Sequence, residues 1–323
     1  MTRTALVALA LASLTLVACA GNDGTGGPGG TGDPTGPAPT APTTPSADPN
    51  APLDPVDDPV PAGIPALGAF DREKGIELPV DLSCVGRPLP VATGAASERD
   101  FHLIQLGGQD ADRVADAKVE IFLDNKLTMP ADATVQLKKD ADPAKNGAFT
   151  TQAQPGWIAY RVSPGAGFLP IVGLDLEVPE TGAVLPAVPT ADKVSMMSIL
   201  IAGATYEPSK GSGRAVLRAV DCAGHALVNS HIVLEIDGKL ARPSKGDGIR
   251  RSYFNDTEFP SASALWTSRS GVVAFIEMPA GAKAIRAVAR GIVDGQTKVL
   301  ALRTIPLVAD GVTTAKLFPY AMP

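Results

Sequence analysis

The chain has 323 residues, with 28 Lys and Arg against 34 Asp and Glu and a net charge of −6. That balance excludes the broadly basic surface through which a protein holds nucleic acid. The composition is rich in Ala, Val and Gly and poor in aromatics, at 5%, without long charged helical faces.

In chain order, a single positive charge at Arg3 precedes an apolar stretch from Ala5 to Val17. That is the length of a signal-peptide core and too short to span a bilayer as a helix. The stretch ends in Leu16-Val17-Ala18-Cys19. This block resembles the lipobox of bacterial lipoproteins. The resemblance implies a signal peptide over residues 1–18 and acylation of the Cys19 thiol. Acyl chains would anchor the protein to a membrane, each buried methylene contributing about 0.8 kcal/mol. Ala20, not aspartate, follows the cysteine. In a Gram-negative cell that similarity implies sorting to the outer membrane; the expected location in any case is the cell envelope.

Residues 20–66 contain twelve Pro and nine Gly, six Asp and no Lys, Arg or aromatic residue. Such a segment cannot bury enough apolar surface to offset its ordering entropy, so residues 19–66 are expected to form a disordered tether. It would average about 40 Å as a flexible coil and reach about 145 Å as a polyproline II rod. With the six Asp in the tether and Arg3 in the signal, only −1 remains on residues 67–323.

The remaining chain repeats itself. With an offset of 113, Val119, Ile121 and Leu123 fall on Ile232, Leu234 and Ile236, and Asp124, Lys126 and Leu127 fall on the identical Asp237, Lys239 and Leu240. Alternation of this kind marks a half-buried strand. With an offset of 115, GWIAYRVSPG (156–165) falls on GVVAFIEMPA (271–280), and VPTADKVS (188–195) corresponds to IPLVADGVT (305–313). These blocks predict two domains, 67–205 and 206–323. Strands in the second are expected near 215–220, 232–236, 272–277, 284–290, 299–305 and 312–318. Short strands with Gly/Pro punctuation and no convincing amphipathic helix predict an all-β fold of two tandem antiparallel β-sandwiches.

Asp221, Gly224, Leu227, Gly271, Phe275, Pro279 and Gly281 in the second unit, with Asp110, Val114, Gly156, Tyr160, Pro164 and Gly165 in the first, carry a further likeness. Their pattern resembles the carboxypeptidase regulatory-like domains of transthyretin-like sandwich fold, with immunoglobulin-like sandwiches as the alternative. That resemblance implies a non-catalytic role in spacing, adhesion or contact with carbohydrate and protein at the cell surface.

There are three cysteines. With Cys19 carrying lipid, Cys84 and Cys222 remain in an oxidising compartment and are expected to pair. Catalytic signatures are absent from the sequence: no G-x-S-x-G elbow, no H-E-x-x-H and no phosphate-binding glycine loop. His102, His225 and His231 lack zinc-site spacing, and the aspartates of DADRVAD (110–116) read as solvated turn residues. No metal or cofactor is expected. The long connection over 238–266 gathers Lys239, Arg242, Lys245, Arg250 and Arg251 with Tyr253, Phe254, Phe259 and Trp266. Cations beside aromatics hold anionic or sugar ligands. Arg250, Arg251, Tyr253, Phe254 and Trp266 therefore form the expected contact surface, unless the aromatics pack back onto the sandwich edge. The whole reads as a membrane-anchored envelope lipoprotein acting as a binding or structural module for an envelope polysaccharide or a protein. A subunit of an envelope assembly, or an enzyme without a recognisable motif, are the alternatives.

Overall fold

The computed structural model describes residues 60–90, 95–106, 112–241, 248–261 and 263–321. The expected signal peptide, Cys19 and nearly all of the tether lie outside the described residues, as do Asp110, Arg242 and Lys245.

The first part of the chain supplies β1 (Gly68–Asp71), β2 (Ile76–Leu78), β3 (Ser97–His102), β4 (Ile104–Gln105), β5 (Ala117–Phe122), β6 (Ala133–Gln136), β7 (Ala148–Ala153), β8 (Gly156–Pro164), β9 (Ile171–Val178) and β10 (Ala187–Val188). After helix α1 (Ala191–Ala202) come β11 (Gly213–Ala219), β12 (Ala226–Val228), β13 (His231–Ile236), β14 (Lys239–Ala241), β15 (Arg250–Phe254), β16 (Pro260–Ser261), β17 (Val272–Met278), β18 (Ile285–Val293), β19 (Gln296–Ile305) and β20 (Val312–Leu317). The protein is thus mostly strand, with one α-helix among the described residues.

A nine-stranded sheet in the order β16-β15-β17-β11-β20-β9-β8-β5-β6 takes strands from both parts of the chain. Its centre is parallel, Val312 of β20 facing Ile171 of β9, and Arg214 of β11 facing Val312. A four-stranded sheet, β14-β13-β18-β19, supplies the opposing layer for the later strands. One core cluster joins Leu217, Val273 and Phe275 of the large sheet to Ile232, Leu234, Ala287 and Ala289 of the smaller one. A second joins Val119, Ile121, Tyr160 and Val162 of the large sheet to Phe101 and Ala153 of the β3–β7 pair and Val188 of the β10–β4 pair. The architecture is therefore sandwich-like and all-β in character.

Six strands expected in the second part are found as β11, β13, β17, β18, β19 and β20. Two expectations are corrected. The long connection over 238–266 contains β14, β15 and β16, and Arg250, Arg251, Ser252 and Tyr253 pair with Ile276, Phe275, Ala274 and Val273 of β17. Two consecutive arginines hid this strand from a reading of apolar alternation. Secondly, residues 191–202 form a helix. Thr190 caps it, its hydroxyl accepting from the Lys193 N–H at 3.3 Å, and Gly203 ends it at φ 106°. Its apolar residues face two ways. Val194 is buried, whereas Met196 and Leu200 are 58% and 54% exposed, so no single stripe marks it. Strand β1, ahead of the repeated blocks, pairs with β12 of the second part of the chain.

At the offset of 113, β5 falls on β13 and each opens a hairpin, although the returning strands β6 and β14 do not correspond. Beyond them the pairings differ. β8 pairs with β5 and β9, whereas its sequence counterpart β17 pairs with β11 and β15.

Two buried contacts give measurable consequences. Tyr160 of β8 stands opposite Gly173 of β9, and a Cβ on Gly173 would lie 2.0 Å from the tyrosine ring. The ring sits there with its hydroxyl donating to the Ala187 carbonyl at 2.9 Å, and burial pushes that hydroxyl's pKa up to about 12. Gly173→Ala should expel the ring and lower stability by about 1–3 kcal/mol, read as a lower urea midpoint at unchanged m-value.

Glu120 of β5 accepts from Arg161 Nε at 2.5 Å and from Lys118 Nζ at 3.0 Å. The Arg161 hydrogen bond holds its carboxyl below the usual glutamate value of 4.5. A carboxyl with a lowered folded pKa contributes stability that is present above its unfolded value and lost as pH falls through the folded one. Glu120→Gln should therefore remove part of the acid-side fall in melting temperature below about pH 4.5 and leave the neutral-to-alkaline profile parallel to wild type.

Candidate ligand-binding cleft

A cleft of about 560 Å³ forms where β9 and β20 part. Their ladder runs from Val312–Ile171 to Thr314–Gly173. At Asp175 the backbone turns to φ 60°, and the Lys316 N–H is taken by the Asp175 carboxylate at 3.1 Å. Beyond that point the alternation of β20 and its extension puts Lys316, Phe318 and Tyr320 on one face. Register places Arg218 of β11 beside Lys316, and Glu177 of β9 beside Trp157 of β8.

The aromatic groups form a row, with Trp157 to Phe318 at 5.0 Å and Phe318 to Tyr320 at 6.0 Å between ring centroids. Lys316 Nζ lies 4.1 Å from the Trp157 ring centroid and 5.8 Å from that of Phe318. The aliphatic stem packs and the cation meets the negative ring faces. Burial, with the Arg218 guanidinium nearby, holds the lysine below its usual pKa, and Glu177 and Asp175 offset part of this. Arg218 is itself lowered by burial and by Arg72. Both arginines share Glu258, at 2.7 Å from Arg72 and 3.2 Å from Arg218. Lys316 has no ion pair among the described residues.

The opposite wall is the β1–β2 turn. Asp71 accepts from Lys74 Nζ at 2.9 Å, which holds its carboxyl below the ordinary range. His225 lies between two carboxylates, 3.4 Å from Asp221 and 3.9 Å from Asp71. Cys222 lines the cleft and is joined by a disulfide to Cys84, with 5.7 Å between their Cα atoms. Chemically the cleft can stack against rings and neutralise anions; its described lining contains no serine or threonine hydroxyl and no thiol.

The five residues expected to form a contact surface are not brought together as one. Tyr253 is 1% exposed, and its hydroxyl takes the Ile232 N–H at 2.9 Å. Arg251 lies over that ring and donates to the Ile232 carbonyl. Arg250 lies over Tyr206 and donates to the Ala202 carbonyl at 2.8 Å, next to Glu277. Phe254, itself 9% exposed, and Trp266 both line a cavity of about 420 Å³. Strand β15 turns these side chains into packing roles. The cleft residues went unrecognised in the sequence. Their one signal is the period-two series Lys316, Phe318, Tyr320 at the end of an apolar strand.

Among the described residues no cluster of His, Cys, Asp and Glu has the makings of a metal site, and no helix is long and apolar enough to cross a membrane. No protein-family model matches the chain, and no curated protein matches it in sequence.

Proposed function

We propose that this chain is a lipid-anchored protein of the cell envelope whose folded part is a non-catalytic binding module. Cys19 carries the acyl anchor, residues 19–66 act as the tether, and residues 67–205 and 206–323 are two sandwich units of transthyretin-like or immunoglobulin-like kind. The β9–β20 pairing supports reading them as units fused edge to edge. The cleft then holds ring-bearing segments of an acidic envelope polysaccharide. One observation carries this reading: a half-buried lysine that makes no ion pair among the described residues, with Glu177 and Asp175 only near it, laid across an aromatic row. Such a cation meets the charge of an acidic sugar while the rings offer stacking faces.

The test is co-sedimentation of the purified protein with isolated envelope polysaccharide. Wild type should sediment, and Lys316→Gln with Trp157→Ala should abolish sedimentation while circular dichroism stays unchanged. No sedimentation of wild type, or equal sedimentation of the variant, overturns the cleft reading. Recovery of one fixed protein partner instead would support the assembly alternative. Intact-mass analysis of protein extracted from membranes tests the anchor. A chain beginning at Met1 with an unmodified Cys19 would refute it.

A further inference from the structure

A second cavity, of about 380 Å³, shares no lining residue with the cleft. It is built where the β5–β6 hairpin meets the segment before β18 and the end of β19. Leu127, Leu174, Ile285, Ile305 and Leu307 supply apolar walls. The charged residues lining it are all cations: Lys126, Lys283 and Arg303. Arg303 is only 5% exposed; its Nη2 donates to Asp175 at 3.0 Å, while its Nε has no hydrogen-bond partner among the described residues. Lys126 and Lys283 are exposed at the rim and form no ion pair among the described residues. Asp175 balances Arg303, and the two lysines put their ammonium groups at the rim of an apolar chamber, while Asp124 and Asp237 beside them do not line it.

We infer that this cavity binds an amphipathic anion, a carboxylate or phosphate carrying an apolar chain. The volume falls in the range of small-ligand sites. Burial of the chain against the leucine and isoleucine walls supplies affinity, and the lysines select the charge of the head group. A neutral or cationic amphiphile gains only the first contribution. The lysines' own environment argues against a purely structural role. Each sits next to an aspartate in sequence or space, yet those carboxylates are used on backbone N–H groups: Asp124 takes the Lys126 N–H at 2.9 Å, and Asp237 takes the Lys283 N–H at 2.9 Å.

The experiment uses the purified protein with octanoate, and octan-1-ol and octyltrimethylammonium as chain-matched comparators, below the concentrations at which any of them self-associates. Calorimetry measures affinity, and leucine methyl NMR reports the place. Octanoate should bind saturably with shifts at Leu127, Leu174 and Leu307. The two comparators, and Lys126→Gln/Lys283→Gln with octanoate, should each bind about tenfold or more weakly. Ala284→Trp, at an exposed lining position, should block binding without altering the rest of the methyl spectrum. The inference is overturned by any of three results: no saturable binding of octanoate, shifts confined to other leucines, or affinity unchanged by both sets of substitutions.

Discussion

Asp175→Asn should lower the stability of the folded protein by about 3–5 kcal/mol in equilibrium urea unfolding. The carboxylate is 2% exposed and has three partners: Asn125 Nδ2 at 2.7 Å, Arg303 Nη2 at 3.0 Å and the Lys316 N–H at 3.1 Å. Its own N–H goes to Asn125 Oδ1 at 2.9 Å. These bonds tie the β5–β6 turn, β9, β19 and β20 together, which is to say both halves of the large sheet and the four-stranded layer. Burial pushes the Asp175 carboxyl up and the Arg303 guanidinium down, and each offsets the other's cost by its charge. Removing the negative charge leaves Arg303 buried and uncompensated, the expensive case. Asparagine is the right probe because it keeps the shape and tolerates the φ of 60° that an alanine would strain. A second substitution separates charge from packing. Asp175→Asn/Arg303→Met should recover most of the loss, since an apolar side chain replaces the stranded cation. A single variant within about 1 kcal/mol of wild type would show that the pair is not what joins the halves, since losses that small are ordinary for surface changes.

The same residue shows where sequence reading ends. The strand β17 announces itself by an apolar run between Gly271 and Pro279, and β13 by the alternating Ile232, Leu234 and Ile236 ahead of Asp237-Gly238, because burial on one or both faces imposes such patterns. The hairpins after Leu123 and Ile236 are visible in the shared Asp-x-Lys-Leu. Which strands pair across the sheet is not written locally. Asp175 and Arg303 lie 128 positions apart, and nothing near either one states that they meet. The repeat misled beyond the hairpins for a related reason. β8 and β17 have the same local pattern of glycine, apolar run and proline, yet take different neighbours, since partner choice is set by tertiary packing. The candidate site suffered twice. Arg250, Arg251 and Tyr253 looked exposed because charged residues usually are, but their polar atoms are spent on backbone carbonyls and amides. The cleft assembles Trp157, near the middle of the chain, with Lys316, Phe318 and Tyr320 near its end, so only the short K-x-F-x-Y series had any local trace.

Cys84→Ser/Cys222→Ser should lower stability by about 5 kcal/mol, the chain-entropy value for a loop closed over a separation of 138 residues. Few single contacts in a protein of this size weigh as much against a total of about 5–15 kcal/mol. The bridge has local work besides. Around it the Cys222 N–H reaches the Asp81 carbonyl at 2.9 Å, the Gly86 N–H reaches the Pro319 carbonyl at 3.3 Å, and the Ala321 N–H reaches the Arg87 carbonyl at 2.8 Å. Residues 81–87 thus clip onto the Cys222 loop and the terminal segment, both of which line the cleft. Without the bridge those contacts should fray first, so ligand affinity at the cleft should fall at temperatures where the core strands are still intact. The readout is paired. Reductant should lower the urea midpoint of wild type to that of the double variant and leave the double variant unmoved. Coincident midpoints for oxidised and reduced wild type would mean that the covalent tie contributes nothing to the fold. A large shift would fit the proposed envelope location, because structural disulfides persist chiefly in oxidising compartments. That argument for an extracytoplasmic location is independent of any reading of Cys19.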